Sequence, residues 1–313
     1  MEIYLPIAGM SINFFLILGI GGVVGFLSGL FGVGGGFLLT PLMMMIGIPP
    51  AVAAASDSNQ IVAAASSGAF AHWRLGNVDF KMGLIILAGG IAGGTVGVQL
   101  VKVLRAMGNF EFVMKVVYVI MLGLVGGAMF IESLRTIRRS KNPSAGAAGV
   151  ETSGGGLTSL FAKLPLKMHF ARSGLNTSAI FPFAIGTIVG VMAALLGVGG
   201  GFIMVPAMIY IIGMPTIAAI GTDLFQIVLT SANVTLQQAM VNHTVDLLLA
   251  LILLGGSTIG AQFGAMAGKR LKGEQIRILL AIIVLALTVK IFLDLVLTPS
   301  DLVSLAPATG GGH

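Results

Sequence analysis

The sequence predicts an all-α integral membrane protein made of two inverted-topology repeats. Each repeat has about five membrane segments, and helices are broken at glycine-rich runs. Three observations lead there. The first is composition: the 313 residues are 56% hydrophobic and 9% charged, with mean hydropathy +1.03. A soluble domain carries about 25% charged residues, so this chain has too few charges to keep a surface of its size in water. The second is a phrase written twice: Gly29-Leu30-Phe31-Gly32-Val33-Gly34-Gly35-Gly36-Phe37-Leu38 returns as Ala194-Leu195-Leu196-Gly197-Val198-Gly199-Gly200-Gly201-Phe202-Ile203, each followed by a proline, Pro41 or Pro206. The third is the distribution of lysine and arginine. An inverted arrangement puts thirteen of those between segments inside and three outside, whereas a parallel one gives nine and seven. Positive residues favour the cytoplasmic side, so the inverted arrangement is the better one.

The elements follow in order. Apolar segments cover 12–31, 37–48, 51–72, 82–103 and 112–131, then 178–196, 202–213, 217–241, 247–268 and 276–297. Residues 12–131 form the first membrane repeat, 132–175 a linker, and 178–297 the second repeat. The register holds through most of each half. Gly32, Gly36 and Pro41 match Gly197, Gly201 and Pro206; Ser56, Asp57 and Gln60 match Thr222, Asp223 and Gln226; Gly89, Gly93 and Gly97 match Gly256, Gly260 and Gly264. Residues 37–48 would make roughly 18 Å of helix, short of a ~30 Å hydrocarbon core, so 37–48 and 202–213 are either tilted spans or re-entrant half-helices. The linker carries seven basic residues and a Gly/Ser-rich stretch at 142–156, which places it in the cytoplasm. Leu164 to Phe170 alternates apolar and basic residues; a docked loop, a short strand and a surface segment are the alternatives.

Several function classes drop out. The chain has no cysteine, hence no disulfide framework and no thiolate metal site. No metal-ligand cluster, cofactor motif or nucleophile–base pair is present to support an enzyme. The net charge of +6 is accounted for by cytoplasmic loops, with no nucleic-acid partner. Met43-Met44-Met45 lies in apolar context without a neighbouring histidine and reads as packing.

The candidate site rests on the doubled residues. A helix that begins after a glycine run points unpaired N–H groups and a partial positive charge into the break. Without Cβ atoms, a ligand can approach those amides closely. Gly34, Gly35 and Gly36 in one half and Gly199, Gly200 and Gly201 in the other are thus candidate anion-binding positions; close helix packing is the competing reading. Gln60, Gln226, Ser58 and Asn59 are candidate polar contacts. Asp57 and Asp223 interrupt apolar segments, and an intramembrane carboxylate is a functional candidate by default; proton coupling and capping of the broken backbone are the two roles. The halves differ here, because Ser58-Asn59 becomes Leu224-Phe225, so a strictly symmetric site is not expected. Arg74, beside His72 and Trp73, is either an interface anchor or the mouth of a pathway.

The glycine phrase with its proline, the Ser/Thr-Asp pairs, and the turns Gly76-Asn77-Val78-Asp79 and Asn242-His243-Thr244-Val245-Asp246 resemble the sulfite exporter TauE/SafE family, also called toluene-sulfonate uptake permeases. The resemblance covers nearly the whole chain. It implies a bacterial inner-membrane permease for small sulfur-containing anions such as sulfite, sulfoacetate or other organosulfonates, with export assigned to many members. The expected partners are a small anionic substrate and the lipid bilayer; a homo-oligomer is compatible. Uptake or cation symport of a sulfonate or carboxylate is the alternative direction, and an anion channel the alternative class.

Overall fold

The computed structural model describes residues 1–31, 36–140, 167–170, 173–268 and 273–297. Gly34, Gly35 and the Gly/Ser-rich stretch at 142–156 lie outside them.

A short hairpin opens the chain, β1 (Glu2–Leu5) paired antiparallel with β2 (Met10–Asn13). It leads into α1 (Phe14–Phe31), α2 (Gly36–Met45), α3 (Pro50–Arg74), α4 (Phe80–Ala106) and α5 (Phe110–Ser140). A second hairpin, β3 (Lys167–Phe170) with β4 (Leu175–Ser178), leads into α6 (Ile180–Leu196), α7 (Gly201–Pro206), a π-helical turn over Ala207–Ile212, and α8 (Thr216–Gln237). A second π turn (Gln238–Asn242), α9 (Leu247–Gly268) and α10 (Gly273–Val296) follow. The described residues are therefore all-α apart from the two hairpins. Each half runs hairpin, long helix, short helix, then three long helices. Residues 167–170, which the sequence left open, are a strand, and the hairpin they form is the counterpart of residues 2–13.

Among the described residues, five stretches are long and apolar enough to cross a membrane: Phe80–Ala106, Phe110–Ala128, Thr216–Asn242, Leu247–Gly264 and Ile278–Val296. The shorter apolar helices include Phe14–Ser28, Gly36–Met45, Ile180–Leu196 and Gly201–Ile212. The chain is a multi-pass helical membrane protein. Helix α3 is long enough but not apolar enough for that group, because Ser56 to Gln60 fall in its middle. It compensates by burying that stretch: Ser56 and Asp57 are fully buried.

The halves interlock by exchanging helices. Helix α1 packs on α9 and, correspondingly, α6 packs on α4; α3 packs on its counterpart α8, and α5 on α10. Glycine makes the first two contacts close. A Cβ on Gly260 would run into Gly22 O, and one on Gly264 into Phe26 O; the matching glycines Gly93 and Gly97 lie against the carbonyls of Thr187 and Val191. Backbones approach this closely only where side chains are absent. The same contacts give direction: along α1 and α9 the touching residues rise in number together, as they do along α4 and α6.

Hydrogen bonds fix which ends meet. Asp246, at the start of α9, accepts from Ile7 N of the first hairpin, while Arg105 at the end of α4 donates to Asn242 O, just before α9. Asp79, at the start of α4, accepts from Ser173 of the second hairpin. So α1 enters beside the end of α4, and α6 enters beside its start.

Candidate functional site

The second glycine run breaks its helix outright. Helix α6 stops at Leu196; Gly197, Gly199 and Gly200 have φ of 74°, 70° and 89°, and α7 starts at Gly201. Three left-handed positions in four residues demand glycine. In the first half, α1 stops at Phe31 and α2 starts at Gly36.

The starts of α2 and α7 meet. Phe37 and Phe202, the residues after the two helix starts, stack with ring centroids 4.3 Å apart and planes 14° apart. A Cβ on Gly36 would lie 3.2 Å from Val198 O of the opposite break. Between the breaks sit two matched apolar side chains: Ile61 touches the Gly36 and Gly199 positions, and Ile227 the Gly199 and Gly201 positions.

Each helix start already faces a carboxylate of its own half. The Cβ position of Gly36 lies 3.3 Å from Asp57 Oδ2, and that of Gly201 lies 2.8 Å from Asp223 Oδ2. Both aspartates are buried and well inside α3 and α8. They do not cap their own helices. They stand at the positive ends of α2 and α7, where negative charge is favoured.

The partners differ between halves. Thr40 Oγ1 donates to Asp57 Oδ2 at 2.8 Å, and Asp57 Oδ1 has no hydrogen-bond partner among the described residues. Gln226 Nε2 donates to Asp223 Oδ1 at 2.9 Å, while Thr230 Oγ1 donates to Gln226 Oε1 at 3.0 Å. Gln60, the counterpart of Gln226, turns away and donates to Ser257 Oγ at 2.7 Å. The counterpart of Ser257 is Gly90, which offers no hydroxyl. Tyr118, fully buried on α5, donates to Leu196 O at 2.6 Å and lies within electrostatic range of Asp57. Ser58 Oγ reaches the break of the other half, 3.5 Å from Gly197 O, while bonding Ala54 O at 3.1 Å.

Gly36, Gly199, Gly200, Gly201, Asp57, Asp223, Gln226 and Ser58 therefore lie at or beside the two helix starts, while Gln60 is turned to Ser257 on α9. Asn59 is half-buried on α3. Arg74 is elsewhere: it is exposed at the end of α3, its guanidinium 5.5 Å above the Phe70 ring. Seventeen residues of helix put it roughly 25 Å along from Asp57. Thr40, Ile61, Ile227, Tyr118, Thr230 and Ser257 were not singled out in the sequence. For Thr40 and Ser257 a signal was there, since each breaks the repeat (Val205 and Gly90 in the other half).

A second pair of acids holds the molecule together. Asp79 Oδ1 accepts from Met82 N at 3.2 Å, and Asp246 Oδ1 from Leu249 N at 3.1 Å, each capping the helix it precedes. The Asp79 amide donates to Thr222 Oγ1 at 3.0 Å, and the Asp246 amide to Ser56 Oγ at 3.2 Å. The second carboxylate oxygen holds a hairpin: Asp79 Oδ2 accepts from Ser173 N and Oγ at 3.1 and 2.7 Å, and Asp246 Oδ2 from Ile7 N at 3.1 Å. Among the described residues, no group of three or more His or acidic side chains could hold a metal ion.

Broken helices meeting inside a bundle of membrane helices define a class, the multi-pass membrane transporters. Residues 17–291 match the family model described as sulfite exporter TauE/SafE, and the chain belongs to that family. It is similar to "Probable membrane transporter protein YunE" of Bacillus subtilis (strain 168), 24% identical over 87% of this chain and 95% of the relative. It is also similar to "Probable membrane transporter protein YjnA" of the same strain, 26% identical over 90% of this chain and 100% of the relative. A third relative, a "Probable membrane transporter protein" of Xylella fastidiosa (strain 9a5c), is 26% identical over 82% of this chain and 86% of the relative. No solved structure matches the chain significantly.

Proposed function

We propose that this chain is a secondary transporter that carries small sulfur-containing anions, such as sulfite or organosulfonates of the sulfoacetate type, outward across the bacterial inner membrane. The anion is held at the starts of α2 and α7, by the amides at Gly34–Gly36 and Gly199–Gly201, with Ser58, Asn59, Gln60 and Gln226 as polar contacts. The single observation that carries the reading is the juxtaposition of the two helix starts, marked by the Phe37–Phe202 stack. Facing helix N-termini near mid-membrane suit an anionic group without any lysine or arginine.

The carboxylates of Asp57 and Asp223 occupy the same positive ends. An incoming anion and a carboxylate repel each other at such range, so loading requires a carboxylate to be neutralised or to move. This is the basis for coupling at these two residues. Alternating access follows from rocking one half against the other. The entry of α1 and α6 beside opposite ends of α4 supports inverted halves, and the basic linker then lies in the cytoplasm.

The test is flux of radiolabelled sulfite in sided proteoliposomes. Wild-type protein should carry a saturable flux. Gly36→Ala, whose methyl would meet Ile61 and Val198 O, should lower it about tenfold, the effect of ~1.4 kcal/mol on the barrier. Flux absent for sulfite and sulfoacetate alike would overturn the substrate class; unitary currents would replace the carrier by a channel.

A further inference from the structure

We infer that Asp57, and not its repeat counterpart Asp223, is the carboxylate that takes up and releases a monovalent cation, a proton or Na+, in step with the anion. The inference rests on the transport reading above and narrows it to one residue. The two aspartates occupy equivalent places, each buried and each facing the start of a short helix. What separates them is hydrogen-bonding capacity. Gln226 donates to Asp223 Oδ1 through an amide N–H that cannot accept in return. That bond fits a charged, acceptor-only carboxylate and opposes protonation of that oxygen.

Asp57 is held differently. Its one side-chain partner, Thr40, is a hydroxyl that can donate or accept. The Thr40 bond therefore survives whether Asp57 is charged or protonated. Its other oxygen, Oδ1, is buried without a partner among the described residues. A buried, unsatisfied carboxylate oxygen is costly and marks a place where something binds. Val198 O of the other half and the second carboxylate oxygen, Oδ2, both border the position a Gly36 Cβ would take, at 3.2 and 3.3 Å. Carbonyls at an unwound helix end suit a cation.

The charged and titratable surroundings favour the same residue. Of the elements packed on α3, helices α2 and α6 carry no titratable side chain. From α5, Tyr118 lies within electrostatic range of Asp57. From α8, Asp223 faces the start of α7, and at the head of α9, Asp246 is held by Ile7 and Leu249. No lysine or arginine is paired with Asp57 among the described residues, so a cation has no built-in competitor. Once the cation is bound, the start of α2 no longer faces a negative charge, and an anion is admitted. Linkage then requires the anion to tighten cation binding by the same factor. This sets which species move together and leaves the direction to the gradients.

The experiment uses purified full-length protein in detergent, without sulfite. Thermal unfolding is followed as pH is varied in choline chloride, and as NaCl replaces choline chloride at fixed pH, for wild type, Asp57→Asn and Asp223→Asn. Wild type and Asp223→Asn should share a response to one of the two cations, and Asp57→Asn should lose it; a pH response identifies the proton and a salt response Na+. Infrared difference spectra across the same step should contain a carboxyl band that is missing in Asp57→Asn alone. As a variant less exposed to folding failure, Thr40→Val should move the midpoint of the response, while the same change at Thr95, an exposed position on α4, should not. A wild type with no response, an Asp57→Asn that keeps it in full, or an Asp223→Asn that loses it equally would each overturn the inference. Because no sulfite is present, this outcome is independent of the substrate: sulfite flux failing while the cation response persists sinks the substrate class and leaves the assignment to Asp57.

Discussion

The clasps at Asp79 and Asp246 play the same roles in the two halves, whereas the sites at Asp57 and Asp223 do not. At each clasp one oxygen caps the following helix, the other holds a hairpin, and the amide behind it reaches a hydroxyl of the opposite half. The hydroxyl is Ser56 in one case and Thr222 in the other, which keeps the acceptor and changes only a methyl. At the helix starts, by contrast, Thr40 is matched by Val205 and Ser257 by Gly90, and each exchange leaves the Asp223 site without a hydroxyl that the Asp57 site has. Where the backbone has to be joined, the repeat is kept. Where a carboxylate sits at a helix start, the repeat has diverged. The joints are scaffold, and the divergence locates the chemistry.

The largest effect should come from filling the close helix contacts, and it should be equal in the two halves. Gly93→Ala and Gly260→Ala each drive a methyl into backbone, at Thr187 O and Gly22 O. Overpacking against backbone that cannot move aside should reach or exceed the upper end of the roughly 1–3 kcal/mol usual for such changes. Little monodisperse protein is expected from either. Gly255→Ala, on the same helix as Gly260 with nothing near its Cβ position, should purify like the wild type. Thermal unfolding of the three variants checks this. A large difference between Gly93→Ala and Gly260→Ala would break the scaffold half of the comparison.

The clasps come next in size. Asp79→Ala and Asp246→Ala each remove a helix cap, worth about 1 kcal/mol, and the carboxylate bonds to a hairpin, worth roughly 1.5–3 kcal/mol for charged acceptors. Both should destabilise strongly, Asp79→Ala somewhat more, because Ser173 contributes an amide and a hydroxyl where Ile7 contributes an amide alone. Protease sensitivity near residue 7 in Asp246→Ala and near residue 173 in Asp79→Ala would show that each hairpin has been released.

Much of this was legible in the sequence, for physical reasons that can be named. Continuous apolar runs give membrane helices. A glycine phrase that recurs with its proline gives a short helix at matching places in the two halves, and the glycines paired across the halves proved to be the helix contacts. The second hairpin was less legible: four residues of alternation at 167–170 carry little signal, and only comparison with residues 2–13 gives them meaning. The carboxylates were found as acids in apolar segments, but not their direction. Asp57 and Asp223 lie far enough along α3 and α8 to face α2 and α7 rather than their own helix starts, and that depends on packing. Nor did equal spacing reveal that Gln60 and Gln226 point to different partners. Their choice is set by residue 257 or 90 on another helix, remote in sequence.

The smallest expected effect tests that last point. Ser257→Ala removes the hydroxyl that holds Gln60 and makes the Asp57 site resemble the Asp223 site, where Gly90 offers none. The change is one oxygen atom, so the loss of stability should stay near the roughly 1 kcal/mol of an ordinary hydrogen bond. Gln60, left with an unpaired buried amide, has Asp57 Oδ1 as an open acceptor three residues away on the same helix face. If it turns there, Asp57 acquires the same one-way donor that Asp223 has in Gln226, and its cation response should weaken while Asp223→Asn remains without effect. An unaltered response in Ser257→Ala, with the fold intact, would mean that Gln60 does not govern the difference between the halves. Thr40 and Tyr118 would then be the residues that set Asp57 apart.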